Sequence, residues 1–401
     1  MSPMERTRIY LDHNGSTPVT PEVAHELRIF VEGYWGNAGA GHPDGLAARA
    51  AIDEARTRVT AAIGARGGEL VFTSGGTESS NLAVLGAARA RAARDGRRHI
   101  VLARHEHLSV VRPAEQLERE GFEVTWVDVD RCGAPSVSAL AAAIRPDTAL
   151  VALMLANNET GILQPVSEVS LIARAAGAWL FVDAVCGAGK IVIDVEGLGC
   201  DLLSVSGHKL HAPKGIGALW MREGVEVAPL ILGCGQQDGL RSGTENTLGA
   251  VGLGAAMERH AAPGAVPGPE LRALRDRLLE GIAALGVGAE RNGSGPDLPN
   301  TASVWFPGHN APELQRALGA EGLSVTAQTL RAASWPGADL AGVACSEPQP
   351  SHVLRAMGHD DVRASQSLRF SLGSTTHAAE IEGAIAILER VLKGTRIEPS
   401  A

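Results

Sequence analysis

The segment SVSGHKLHAPKGIGALW, residues 204–220, sets Lys209 directly behind an apolar, β-rich run, with Ser206 and His208 beside it. In an open α/β sheet, ligands gather at the carboxyl ends of the strands. A lysine at that place can condense with an aldehyde, and pyridoxal phosphate is the common aldehyde cofactor. The competing reading is a surface lysine in a turn. Of the 36 Lys and Arg residues only four are lysines: Lys190, Lys209, Lys214 and Lys393. A chain that uses Arg wherever a positive charge suffices keeps lysine for work Arg cannot do, such as Schiff-base formation.

Four further segments carry chemistry. ELVFTSGGTESSNLAVLG (69–86) runs from a β-like stretch through Gly76 and Thr77 into a helical pattern. Glycines let the backbone approach a phosphate, and a helix N-terminus offers free N–H groups and a favourable dipole. The same SGGT is also a good helix cap. VDAVCGAGK (182–190) puts Asp183 at the end of a very apolar run. A buried carboxylate needs a partner, and a protonated pyridine nitrogen is one that strengthens the ring as an electron sink. Asp183 as a turn cap is the other reading. ARHEHLSVV (103–111) places His107 just after a strand, where an imidazole can stack on a ring or move protons. LANNETG (155–161) offers Asn157 and Asn158 to a ring oxygen or a substrate carboxylate. Each alone is ordinary turn chemistry. Five strand ends presenting Thr, His, Asn, Asp and Lys together predict one site.

The elements that must hold these residues are visible as alternation. HIVLA (99–103), FEVTWVDV (122–129), TALVALML (148–155), WLFVDAV (179–185) and DLLSVSGH (201–208) read as strands. Runs that are apolar throughout suit strands buried on both faces. Between them, ESSNLAVLGAARARAA, HLSVVRPAEQLEREG and PVSEVSLIARAAG read as helices. The alternation predicts a mainly parallel sheet with helices on both faces. HAAPGAVPGPE (260–270) reads as a connection between domains. Beyond it, LRALRDRLLEGIAAL, TASVWFP, a helix from about Pro312, SLRFSLG and AAEIEGAIAILERVL form a smaller α+β unit. The expected division is an N-terminal segment 1–20 packing with the small domain, a large domain 21–262 and a small domain 263–401. Residues 332–350 read as an exposed loop.

The 401 residues are enough for two domains sharing a large core. The chain is 45% apolar and 20% charged, ordinary for a soluble protein. Its net charge of −9 gives no electrostatic reason to bind nucleic acid or an anionic membrane. No run of about 18 apolar residues spans a membrane, and MSPMERTRIY lacks the apolar core of a secretory signal. The five cysteines, Cys132, Cys186, Cys200, Cys234 and Cys345, are widely spaced with no CxxC pair. Neither structural zinc nor a disulfide framework is expected, no metal site is predicted, and a reducing cytoplasm is the simplest location.

In the same order along the chain, FTSGGTESSNLA, EHLSVV, NNETG, VDA, SGHKxxxPKGIGAL and RSGT resemble the cysteine desulfurases. These belong to the class V aminotransferase group of fold-type I pyridoxal phosphate enzymes. The similarity runs from YLDHNGSTPV to LRFSLGSTT. It implies a fold-type I transferase: an α/β large domain on a mainly parallel seven-stranded sheet, with a smaller α+β C-terminal domain. It implies that Lys209 carries the cofactor and then transfers protons, that Asp183 pairs with the pyridine nitrogen, and that His107 stacks on the ring. Gly76, Thr77, Ser206 and His208 would hold the phosphate, joined by Thr244 from a partner subunit, which requires a homodimer with shared sites. Asn158 and Arg369 would hold the substrate carboxylate; a planar guanidinium suits a carboxylate fork, and a solvated Arg would be odd in apolar LRFSL. The implied reaction takes sulfur from L-cysteine onto an enzyme cysteine, leaves alanine, and hands the sulfur to an acceptor protein.

The chain departs from the family pattern at several points. Cys186 stands where the family has a Gln that donates to the cofactor's ring oxygen, and a thiol is a weaker donor. His13 and Asn14 replace a run of small residues near the active site, which points to altered substrate contacts. Before Cys345 the usual Ser-Ser-Gly-Ser-Ala-Cys is absent. Registering on LSV (323–325) puts the cysteine position near Arg331; registering on PSHVLRAMG puts it at Cys345, the alignment adopted here. The predicted activity is therefore a desulfurase with Cys345 as sulfur carrier. The alternatives are a carbon–sulfur or carbon–selenium lyase or β-replacement enzyme of the same fold, which needs no such cysteine, or a non-catalytic scaffold.

Overall fold

The computed structural model describes residues 8–262, 268–330 and 349–394. Arg331, Cys345 and most of the predicted 332–350 loop lie outside them. In chain order the strands are β1 (Ile9–Tyr10), β2 (Glu69–Thr73), β3 (His99–Ala103), β4 (Glu123–Val127), β5 (Thr148–Ala152), β6 (Trp179–Asp183), β7 (Leu202–Ser206), β8 (Gly217–Met221), β9 (Glu290–Arg291), β10 (Thr301–Trp305), β11 (Leu323–Ser324), β12 (Thr326–Ala327), β13 (Thr329–Leu330), β14 (Gln349–Pro350) and β15 (Ser367–Ser371).

Seven of them form one sheet in the order β2-β8-β7-β6-β5-β3-β4. Only β8 runs against its neighbours, β2 and β7; the other pairings are parallel. Parallel neighbours require helical crossovers, supplied by Leu108–Arg119 and Val166–Ala175 among others. Alternate strand residues feed two cores, one on each face. From β3, Val101 and Ala103 enter one core while Ile100 and Leu102 enter the other. From β6, Leu180 and Val182 oppose Phe181 in the same way. That two-sided burial is why these strands read as unbroken apolar runs rather than alternating ones.

A second, four-stranded antiparallel sheet has the order β12-β15-β10-β9. Helices Gly268–Ala284, Ala311–Ala320 and Ala378–Gly394 bury Leu278, Leu318 and Leu388 in a core separate from the first two. β1 pairs in parallel with β11, and Asp12 bridges to Ser371, so the N-terminal segment joins this sheet. The helix that follows β2, Gly76–Asn81, continues through a wide turn at Leu82–Gly86 into Ala87–Asp95. The wide turn has no signature in the sequence. The strand read through His208 stops at Ser206, and Gly207–Lys209 forms a tight 3₁₀ turn instead. The N–H groups of Leu210 and Ala212 both return to the Gly207 carbonyl, each at 3.0 Å, which turns His208 and Lys209 out of the sheet.

Candidate active site

Because β2, β3, β5, β6 and β7 are mutually parallel, their carboxyl ends share one edge of the sheet. A cavity of about 260 Å³ opens there. Gly76, Thr77, His107, Asn158, Asp183, Cys186, Ser206, His208 and Lys209 all line it, with Ser109, Met154, Ala156 and Val185. Thr244, His13, Asn14 and Arg369 are not among its lining residues.

Asp183 ends β6, buried. The N–H of Val185 donates to its Oδ1 at 2.9 Å, and Ser204 Oγ donates to the same oxygen at 3.4 Å. Burial raises its proton affinity above the ordinary carboxylate range, against the opposing pull of His107. His107 caps the helix Leu108–Arg119. Its Nδ1 accepts the N–H of Ser109 at 3.1 Å and meets the Ser109 hydroxyl at 2.8 Å. A ring nitrogen that accepts a backbone N–H carries no proton, so the neutral ring keeps its proton on Nε2. Burial favours that neutral form. Lys209 Nζ donates to the carbonyl oxygens of Asn14 and Gly15, the latter at 3.1 Å. Burial lowers its proton affinity; Cys186 opposes the shift and Arg369 adds to it. Burial, then Lys209, pushes His208 down to about 4, so that imidazole is neutral at physiological pH.

Gly76 packs where no side chain fits. A Cβ there would lie 2.8 Å from Val185 Cγ2 and 3.4 Å from Ser206 Cβ. Gly76→Ala is expected to cost about 1–3 kcal/mol through displacement of this wall. Urea unfolding of the variant measures it, and a loss under about 0.5 kcal/mol would show that Val185 yields freely.

The other sequence-predicted residues fall around this cavity. Asn157 is wholly buried and structural: its Oδ1 accepts the N–H groups of Glu159 and Thr160 at 2.9 and 3.0 Å, and its Nδ2 donates to the His105 carbonyl. Asn158 faces the cavity with its Oδ1 buried and unpaired. Arg369, on β15, donates to the Asn158 carbonyl at 3.0 Å and to Asp12 Oδ1 at 2.8 Å, and its Nε is unpaired. Asn14 donates its amide to Thr301 Oγ1 at 2.8 Å and accepts from Asn300 at 3.1 Å, so its side chain braces the small sheet and its carbonyl faces Lys209. His13 lines a small cavity behind Lys209 and is pushed down to about 4, chiefly by burial. Thr244 lines a separate cavity of about 210 Å³ with Ser74 and Arg241.

Sequence reasoning missed three contributors. Ser109 fixes the tautomer of His107, and its place in His-Leu-Ser as a capping partner was the available signal. Ser204 supports Asp183 from the next strand, which only the β6–β7 register reveals. Glu106 is fully buried beneath the site, accepts the Met154 N–H at 2.7 Å, and is raised well above the usual carboxyl value by burial.

Residues 9–383 match the family described as Aminotransferase class-V. "Cysteine desulfurase IscS 1" of Archaeoglobus fulgidus is 36% identical over 389 residues, covering 96% of this chain and 97% of that protein. The chain belongs to the cysteine desulfurases of the class-V aminotransferase family. Among solved structures, a "NifS-like protein" superposes with a TM-score of 0.86 at 34% identity, covering 97% of this chain and all of its own. "SspA in complex with cysteine" gives 0.77 at 33% identity, covering 91% and 99%.

The cofactor of these desulfurases is pyridoxal 5′-phosphate, and the residues of the cavity fit it. A buried carboxylate short of a cationic partner suits a protonated ring nitrogen. The unpaired Asn158 Oδ1 and the side-chain-free wall at Gly76 leave polar and steric room. Thr77, Ser206 and His208 supply donors at a helix start, and Lys209 supplies the amine.

Proposed function

We propose that the chain is a pyridoxal phosphate-dependent cysteine desulfurase that converts L-cysteine to L-alanine and takes the sulfur on Cys345. The observation that carries the reading is the convergence of Lys209, Asp183, His107 and the Gly76–Thr77 cradle on one cavity. The named relatives and the cysteine-bound neighbour support it.

Bound there, the cofactor supplies an electron sink that acidifies the substrate α-carbon. Asp183 keeps a proton at the ring nitrogen, steadied by Val185 and Ser204. His107, with Nδ1 tied to Ser109, presents a fixed ring face and an Nε2 proton. Thr77, Ser206 and His208 hold the phosphate, joined by Thr244 of a second copy. Arg369 and Asn158 orient the substrate carboxylate; Arg369 already contacts the Asn158 carbonyl, which links the two. Cys186 would offer a thiol from the cavity wall, while His13 and the Asn14 carbonyl back Lys209 from behind. Lys209 Nζ, low in proton affinity, takes the α-proton. The Cys345 thiolate attacks the substrate sulfur: an S–S bond forms, the carbon–sulfur bond breaks with its electron pair left on Cβ, Cβ takes a proton, and Lys209 Nζ returns a proton to the α-carbon. The products are alanine and a persulfide, whose outer sulfur passes to an acceptor protein.

A homodimer with shared sites is part of this proposal. Thr244 lies on a cavity apart from the first, and the exposed apolar side chains of Trp35, Leu46 and Leu232 support the reading of a covering partner. The separation of the small sheet's core from the two cores of the large sheet supports a division into a segment 1–20, a large domain 21–262 and a small domain 263–401. Among the described residues no helix is long and apolar enough to cross a membrane; a cytoplasmic location with iron–sulfur assembly as the destination of the sulfur is the reading adopted.

Cys345→Ala tests the reaction. Sulfide release from cysteine under reductant is expected to fall by at least about 10²-fold, as for loss of a covalent nucleophile, with the visible band of the cofactor retained. Release surviving within about twofold would favour a lyase or β-replacement enzyme.

A further inference from the structure

Lys190 is one of four lysines, and the reaction above gives it no part. It ends the turn that begins at Asp183 and is 6% exposed. Its Nζ donates to the backbone carbonyl oxygen of Lys209 at 3.2 Å. Both lysines line a small cavity behind the cofactor pocket, together with His13, His211 and Ser374.

The titratable groups bearing on Lys190 are Cys186 on its own turn, Lys209, and Arg369 from β15. His13, His211 and His260 each also feel Lys190, and successive ring centroids of these three are 6.0 Å apart. Burial holds all three imidazoles below the ordinary histidine value, His13 and His260 at about 4. At neutral pH the charge on that wall is therefore the ammonium of Lys190. Lys209 in turn faces Cys186, Arg369, Asp12 and Asp183.

We propose that Lys190 is a positioning residue for Lys209: its ammonium, hydrogen-bonded to the Lys209 carbonyl, repels a proton on Lys209 Nζ and keeps that amine neutral and nucleophilic. Like charges sharing one buried cavity disfavour the doubly protonated state. Burial, the largest influence, brings Lys190 down to about 8, so its charge persists through neutral pH and fades above it. The proposal rests on Lys209 being the lysine that bears the cofactor.

The test is a pH titration of the visible band of the cofactor in the holoenzyme, for wild type, Lys190→Met and Lys190→Arg. Lys190→Met is expected to raise the midpoint by about one pH unit, the size of a neighbouring charge in a partly buried site. Lys190→Arg, which retains the charge, is expected to stay within about 0.3 unit of wild type. An unmoved midpoint in Lys190→Met, or the same shift in both variants, would overturn the proposal. If neither variant retains cofactor, ¹³Cε-lysine NMR of the wild-type holoenzyme decides, since only four lysines contribute signals. A Lys190 that stays charged through pH 7 supports the proposal, and one that has already lost its proton below pH 7 sinks it. A wild type with no visible band would fail the cofactor reading beneath it, a result distinct from a band that does not move.

Discussion

Lys209→Ala is expected to abolish the visible absorbance that the cofactor takes on when joined to a lysine, and to lower alanine formation by at least about 10³-fold. The expectation follows from position. Lys209 is the lysine that lines the main cavity; Lys190 lines the smaller one behind it, and Lys214 and Lys393 are absent from both linings. Its Nζ is buried against the Asn14 and Gly15 carbonyls, and burial depresses its proton affinity, which favours the neutral amine. Lys209→Arg is expected to fail equally, because a guanidinium stays protonated and cannot condense with an aldehyde. Activity of either variant within tenfold of wild type would mean that another amine carries the cofactor.

Asp183→Asn is expected to lower turnover by about 10²–10³-fold, the usual effect of deleting one charge aimed at a developing counter-charge in a dry site. The same substitution is expected to stabilise the cofactor-free protein at neutral pH. Burial raises the folded-state proton affinity of Asp183, so the native chain holds that proton more tightly than the unfolded chain. Native stability is then lost as pH rises from the unfolded carboxyl value of about 3.9 through the raised folded value. Above that window the cofactor-free wild type bears the whole penalty of a buried carboxylate, and Asp183→Asn bears none. Thermal melts of both cofactor-free proteins should show the variant melting higher at pH 7, with the difference shrinking toward pH 4. A variant that melts lower at pH 7 would mean that the Val185 and Ser204 hydrogen bonds outweigh the desolvation cost.

The strands of the large sheet were legible because burial on both faces makes each an apolar run, and His99–Ala103 and Thr148–Ala152 sit where those runs do. The cavity residues were legible for a related reason. A polar residue directly after such a run has few structural uses, so Lys209, Asp183 and His107 stand out. What could not be read depends on partners distant in sequence. Asn14 looked like a substrate contact, yet its side chain is taken up by Thr301 and Asn300, nearly 290 positions away. Asn157 and Asn158 were indistinguishable as letters; the backbone turn sends one inward to cap Glu159 and Thr160 and the other to the cavity. The wide turn at Leu82–Gly86 leaves no trace in composition, because helix period and apolar content barely change across it. Cys345 lies outside the described residues, and its role rests on the chemistry of the rest of the site. Of the other cysteines, Cys200 is buried, with its thiol pushed up to about 12 by burial, exposed Cys132 and Cys234 are absent from the cavity lining, and Cys186, which does line the cavity, is held buried in its wall on the turn after Asp183.

The most direct test of the desulfurase assignment is to incubate the holoenzyme with L-cysteine, quantify the amino-acid product, and map any sulfur adduct by intact-mass and peptide analysis. The assignment predicts L-alanine in step with sulfur transfer and one additional sulfur atom, located on Cys345. Pyruvate and ammonia in place of alanine, or a sulfur adduct at Cys132 or Cys234 with Cys345 unmodified, would contradict it.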